Sequence, residues 1–325
     1  MSRGLRRALR AGAGPARRLR HRLDGPIVRP LTTDDAPGLR AILDADPVTH
    51  LFAAEHLERT GLPRPSRLAG MRTASPFLGV LDADGGAGLL GAVWFGANLV
   101  PLRLSPEHAP AVAAWVRATR RPISSLFGPA ADVLPLWEAL REDGGLRAFD
   151  VRPEQPLLAL APTDPDRRGL RSRRDRARLH DAGVSPVRWA EGEDVSRLFP
   201  AAVAMFTEEV GYSPLERDPQ GYRQRVIEGV MDRRTVLALD EDGAVVFKTD
   251  VGLAHEGVCQ LQGVWLDPRL RGRGLSEPLL RQACSLIGAR YDTISLYVNS
   301  YNAPARALYR AVGFERIGTF ATVLL

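Results

Sequence analysis

One order of periodic segments occurs twice along the chain, and this repeat constrains the fold more than any single residue. From residue 27, "IVRPL" reads as a strand and "TTDDAPGLRAILDAD" as a helix opened by Thr33 or Asp34. "PVTHLFAAEHLERTGL" reads as a second helix. "PFLGVLDADGGAGLLGAVWFG" sets two apolar runs about a DADGG turn, a hairpin pattern, and "ANLVPLRL" adds a third strand. A helix over 106–119, the strand "ISSLF" and a helix over 130–141 follow. From 187 the order returns: "VRWAE", two helical segments, three apolar runs around two turns, a helix over 276–288, "TISLYV", a helix over 303–312 and a terminal strand. Both halves read β-α-α-β-β-β-α-β-α, which predicts two copies of one mixed α/β architecture.

The stretch between the copies, "APTDPDRRGLRSRRDRARLHDAGVSP", is rich in Pro, Gly and charge and poor in periodic apolar residues. It reads as a linker, with its arginines on a solvated or weakly helical connector. The expected organisation is a tail over 1–25, a domain over 26–161, the linker over 162–186 and a second domain over 187–325. At 325 residues the chain is long enough for two independent cores.

The formal charge of +6 belongs mostly to the tail. Eight arginines and no acid fall in residues 1–23, and the rest of the chain carries 36 basic residues against 38 acidic. The tail has the composition of an organelle transit peptide, but a disordered basic extension accounts for it as well. Nothing aromatic is interleaved with its charge, so no nucleic-acid partner is expected. The apolar stretch over 88–102 is broken by Gly, Asn and Pro and is too short for a membrane helix, so a cytoplasmic protein without a membrane partner is expected. Cys259 and Cys284 have no ligand-type neighbours at useful spacing and read as small buried hydrophobes. No metal site is expected.

The stretch "RLRGRGLSEPLL" sets three arginines and two glycines between an apolar run, Val264 to Leu266, and a helical pattern. A helix N-terminus presents unpaired N–H groups and partial positive charge. Gly272 and Gly274 let the backbone turn and let a ligand come close, and Arg271 and Arg273 add charge at the rim. This composition suits an anion such as a pyrophosphate, held over Arg271, Gly272, Arg273, Gly274, Leu275 and Ser276. A Walker loop is excluded because no lysine is present in it, and a dinucleotide fingerprint fails because residue 277 is glutamate.

The spacing Arg269-x-x-Gly272-x-Gly274 resembles the Q/R-x-x-G-x-G/A signature of the GCN5-related N-acetyltransferases, the GNAT family, and the element order over 187–325 agrees with it. "NSYNAPARALYRAVGF" is similar to the family's N-x-x-A-x-x-x-Y-x-x-x-G-F block. "LYVNSYNAPARALYRAVGFERIGTFATVLL" and "MFTEEVGYSP" resemble a bacterial subgroup in which a DUF4081 domain precedes the catalytic one, and "DPVTHLFAAEHLE" is similar to the opening of that domain. The resemblance implies two tandem GNAT-like domains, the first degenerate. It also implies acetyl-CoA as co-substrate and transfer of its acetyl group to a primary amine by direct attack on the thioester.

The resemblance further makes "QLQGVWLDP" the fourth strand, splayed from "TISLYV", so that the backbone of Val264, Trp265 and Leu266 would meet the pantetheine arm. Tyr309 would be the general acid, and Asn302 and Arg306 cofactor contacts. On the last helix Asn302, Arg306 and Tyr309 fall on one stripe, and Pro304, Leu308 and Ala311 on another, expected to be the core face. Asn302 is also a good N-cap, and Gly313 suits the C-terminal cap.

The general base is less defined. Where many family members carry a glutamate, the strand offers Gln260 and Gln262, which take no proton at neutral pH. Glu209 or Glu208 is the candidate, each equally readable as a solvated helix face. His255 and Glu256 fall in a turn, and Lys248 and Asp250 face either cleft or solvent. After "ANLVPLRL" the first half has "SPEHAPAV" and no such loop, so it should not hold a pyrophosphate. Three readings follow in rank order: an N-acetyltransferase, a non-catalytic acyl-CoA sensor, and a nucleic-acid partner acting through the tail. The acceptor and the oligomeric state are open.

Overall fold

The apolar runs of the sequence become the strands of a mixed α/β fold. The computed structural model describes residues 25–65, 75–82, 88–142, 146–160 and 173–325, so the basic tail, the DADGG turn and the first half of the linker lie outside the described residues. The elements are β1 (Ile27–Pro30), α1 (Ala36–Ala45), α2 (Leu51–Thr60), β2 (Phe77–Leu81), β3 (Leu89–Phe95), β4 (Asn98–Leu102), α3 (Ala109–Thr119), β5 (Ser125–Pro129), α4 (Ala130–Arg141) and β6 (Asp150–Leu160). They continue with α5 (Arg173–Asp181), β7 (Arg188–Trp189), α6 (Val195–Val210), α7 (Pro219–Met231), β8 (Thr235–Leu239), β9 (Val245–His255), β10 (Val258–Leu266), α8 (Ser276–Ile287), β11 (Thr293–Tyr297), α9 (Ala303–Val312) and β12 (Glu315–Leu324).

The repeated order is present, with one strand that the sequence reading omits. β6 carries Pro153 and Pro156, which argue against a strand, yet it pairs antiparallel with β11 from Leu157 to Leu160. The prolines sit before that paired stretch, so they cost no ladder bonds there. The linker also contains a formed helix, α5, whose Leu179 is buried.

Two compact units result, and neither is continuous in sequence. Among the described residues, the first lies within 25–46, 56–153 and 320–325, and the second within 47–55 and 154–319. In the first unit the strand order is β1-β2-β3-β4-β5 followed by the end of β12, where Phe320 to Leu324 pair antiparallel with β5. Its core joins Leu78, Val93 and Leu99 of the sheet to Val112, Val116, Leu136 and Leu140 of the helices, with Ala321 and Val323 completing it. In the second unit β6, β11, β10, β9, β8 and β7 are neighbours in that order. One face buries Leu279, Leu280, Ala283 and Ile287 of α8 with Tyr309 and Val312 of α9, and the other buries Leu198 and Ala201 of α6 with Val230 of α7. Cys259 and Cys284 are in no disulfide and have no exposed surface, and burial pushes the Cys259 thiol up to about 12.

A second repeat signature joins the halves. In β1 Arg29 donates two hydrogen bonds, each 2.8 Å, to Asp35, which also accepts from the Thr32 N–H. In β7 Arg188 does the same to Asp194 at 2.6 and 2.8 Å, and Asp194 accepts from the Glu191 N–H. The spacing Arg-x-x-x-x-x-Asp thus clasps the entry to the first helix in both copies. In each clasp the arginine bonds hold the aspartate below the usual carboxylate range.

Candidate functional site

The site is built where β10 leaves both of its neighbours. Its parallel pairing with β11 covers only Val258↔Thr293, Cys259↔Ile294 and Gln260↔Ser295, and then stops. On the other side its register with β9 shifts between Gln262 and Trp265, so Gly263 and Val264 have no partner residue in β9. Gly263 has φ +57°, a conformation that favours glycine, and a Cβ there would lie 2.9 Å from Met205 Cε and 3.0 Å from Lys248 Nζ. Past Gln260 the edge of β10 toward β11 has no strand partner, which is the local geometry an extended ligand needs in order to add itself as a strand.

Beyond β10 the chain enters a short turn over Pro268–Leu270, capped by Asp267, and then the glycine–arginine loop. Gly272 and Gly274 have φ +74° and +69°, and a Cβ on Gly272 would meet open space. The loop delivers α8, whose N-terminus has no side-chain cap, whereas Asp218 caps α7 and Asn302 caps α9. Uncapped N–H groups, positive-φ glycines and exposed arginines form an electropositive cradle. Arg271 lies at its edge, donating from Nε to the Leu266 carbonyl at 2.9 Å and pairing with Glu208 at 2.6 Å. Arg178 of α5 reaches the same loop and donates to the Gly274 carbonyl at 3.2 Å. The sequence reading placed the linker arginines away from any site. Arg178 was missed because nothing in the chain's order tells where a linker helix docks.

Tyr309 lies on the buried face of α9, 8% exposed, and its ring meets Phe314 edge-on at 5.8 Å. Burial, then the charge of Glu209, raises its phenol above the ordinary range, so the hydroxyl keeps its proton through neutral pH. The expected core stripe of Pro304, Leu308 and Ala311 is corrected. Ala305, Leu308, Tyr309 and Val312 pack inward, while Pro304 and Ala311 are exposed. Arg281 of α8 binds the carbonyls of Ala311 and Val312 at the end of this helix. Asn302 acts as the N-cap, accepting from the Ala305 N–H at 3.1 Å, and Arg306 donates to the Ser300 carbonyl.

Glu208 and Glu209 end α6 but differ in their partners. Glu208 accepts from Trp265 Nε1 at 3.2 Å with one oxygen and from Arg271 with the other. Glu209 is exposed, and its charge acts on both Tyr309 and Tyr222. Trp265 and Leu266 are buried, and Val264 is half-buried. The chain's one lysine, Lys248, is 1% exposed and pairs with Asp250 directly beneath the bulge.

This geometry agrees with comparisons to known proteins. Residues 251–323 match the family model described as FR47-like protein, and residues 77–179 match a domain of unknown function, DUF4081. The match to the FR47-like model is thus a similarity of part of the chain, most of it in the second unit. The mycothiol acetyltransferase of Clavibacter sepedonicus is 30% identical over 172 residues, covering 46% of this chain and 54% of that protein. The mycothiol acetyltransferase of Beutenbergia cavernae is 34% identical over 83 residues, covering 25% and 28%. The chain therefore spans only about a quarter to a half of the length of these curated relatives. A GCN5-related N-acetyltransferase from Sphaerobacter thermophilus shares the fold with a TM-score of 0.51 at 17% identity, covering 92% of this chain and 94% of that one. The splayed β10, the bulge and the cradle all lie within the residues that match the FR47-like model.

Proposed function

We propose that the protein is an N-acetyltransferase that uses acetyl-CoA and delivers the acetyl group to a primary amine. The observation that carries this reading is the run from the bulge at Gly263 and Val264 to the uncapped N-terminus of α8. Along it an extended arm can pair with the free edge of Val264, Trp265 and Leu266 while its phosphates meet the N–H groups and arginines of residues 271–276. Acetyl-CoA supplies the activated acyl group. Arg271, Arg273 and Arg178 counter the phosphate charge, with Asn302 and Arg306 bordering the site. The bulge backbone polarises the thioester carbonyl. Tyr309, held neutral by burial, gives its proton to the departing sulfur.

The first unit acts as the non-binding copy. There the backbone N–H of Leu104 is already taken by the Asp132 carboxylate at 2.9 Å, and Glu107 follows in the next turn. Negative charge at that point repels a phosphate. A non-catalytic acyl-CoA sensor is the second reading, favoured by the absence of a carboxylate on β10. It predicts the same binding without turnover.

The test is calorimetric titration of acetyl-CoA into the full chain and into Gly274→Glu. Gly274 has a positive φ, and Arg178 Nη1 lies 3.0 Å from its Cβ position, so glutamate strains the loop and neutralises the cradle. Saturable binding that the variant loses is the expected result. Absence of binding by the wild type removes the proposal.

A further inference from the structure

The unassigned part of the proposed reaction is the group that receives the amine, and the strands beneath the bulge supply a candidate. Asp250 stands opposite Gln262 in the β9–β10 ladder. Its Oδ1 accepts from Thr235 Oγ1 at 2.7 Å, its Oδ2 pairs with Lys248, and its side chain keeps 30% exposure. Oδ2 is 3.3 Å from where a Cβ of Gly263 would be, so the carboxylate lies against the bulge itself. Lys248 Nζ also approaches the Gly263 carbonyl, at 3.4 Å. The groups around the carboxylate are Lys248 on its own strand, Thr235 on β8, Gln262 and Gly263 on β10, Met205 on α6 and Tyr222 on α7. Tyr222 is pushed up to about 12 by burial and then by the charge of Asp250, with Glu209 adding to it.

A lysine buried to 99% in a chain that otherwise uses only arginine calls for a partner that arginine would not fit. A compact ammonium can sit under a single glycine where a planar guanidinium cannot. Removing two charges from water is costly unless each is matched, so Lys248 and Asp250 fix each other in place. Lys248 is closed off, whereas Asp250 still has an open side, and the open side is the one that can meet a ligand.

Resting on the acetyltransferase reading, we infer that Asp250 is the carboxylate that binds the acceptor amine and takes its proton, with Lys248 as its positioning residue. As the nitrogen attacks the thioester carbonyl and the C–N bond forms, its proton passes to Asp250. The C–S bond then breaks, and the sulfur leaves with the proton of Tyr309. Exchange with water returns the proton of Asp250 to solvent and restores Tyr309. The carboxylate that β10 lacks is thus supplied by the neighbouring strand.

Two CoA thioethers of matched size test this without a known acceptor. S-(2-aminoethyl)-CoA carries an ammonium where the attacking amine would be, and S-propyl-CoA carries a methyl group there. Their affinities are measured by calorimetry for the wild type, Asp250→Asn, Lys248→Met and Glu209→Gln. Expected are a loss of about tenfold or more for the cationic probe in Asp250→Asn with S-propyl-CoA unchanged, and a smaller loss confined to the cationic probe in Lys248→Met, which unseats the carboxylate. An unaltered ratio of the two affinities in Lys248→Met overturns the assignment even if Asp250→Asn fails to fold. So does a loss confined to Glu209→Gln. If S-propyl-CoA and acetyl-CoA both fail to bind the wild type, the acetyltransferase reading itself falls. If they bind and only the cationic preference is indifferent to Asp250, that reading stands and this one is lost.

Discussion

At the scale of single residues, glycine and charge decide the site. Gly263 carries the bulge because its φ is positive and because Met205 and Lys248 crowd its open face. On the proposed function, Gly263→Ala should lower acetyl-CoA affinity by at least about tenfold, since both the strain and the contact fall at the bulge backbone. Titration of the variant, with circular dichroism to show that the fold persists, checks this. Gly272 and Gly274 are a contrasting pair. A methyl at 272 meets nothing while one at 274 meets Arg178, so Gly272→Ala should be the milder of the two in the same titration.

At the scale of elements, the Arg–Asp clasps hold each copy's first strand to its first helix. Asp194 has no exposed surface and accepts from Arg188 and from the Glu191 N–H, so Asp194→Ala leaves a donor cluster unmatched. A cost of about 2–3 kcal/mol is expected, read from the urea midpoint. The sign of its pH dependence follows from the lowered aspartate. The clasp contributes fully above the ordinary carboxylate value of about 4 and is lost as pH falls through the lower folded value. Wild-type stability should therefore drop between pH 5 and acid more steeply than that of Asp194→Asn, and urea melts across that range measure the difference.

At the scale of the whole molecule, the terminal residues of the chain belong to the core of the first unit. Ala321 and Val323 have no exposed surface, belong to that core and lie in the stretch that pairs with β5. Val323→Ala should destabilise the first unit by about 2 kcal/mol through the cavity it leaves. Hydrogen exchange at the amides of β5 should accelerate in that variant, while those of β8 and β9 stay protected. Unchanged protection at β5 would contradict the role of β12 in that core.

Much of this was legible in the order of residues. Local chemistry wrote the repeated element order, the cap at Asn302, the turn at Gly313 and the cradle loop, because periodicity, capping and backbone freedom act over a few positions. The Arg29–Asp35 and Arg188–Asp194 spacing could have been found the same way, since both partners lie within one turn of chain. Other features depend on what lies across a sheet or beside a loop. β6 was hidden by prolines that fall outside its stretch paired with β11. Arg178 is 96 positions from the carbonyl it binds, and the inward face of α9 was set by the core it packs against. Lys248 and Asp250 read only as alternating strand residues until a bulge in the next strand placed them under Gly263. Strand register and helix docking pair residues distant in sequence, and only the tertiary structure decides them.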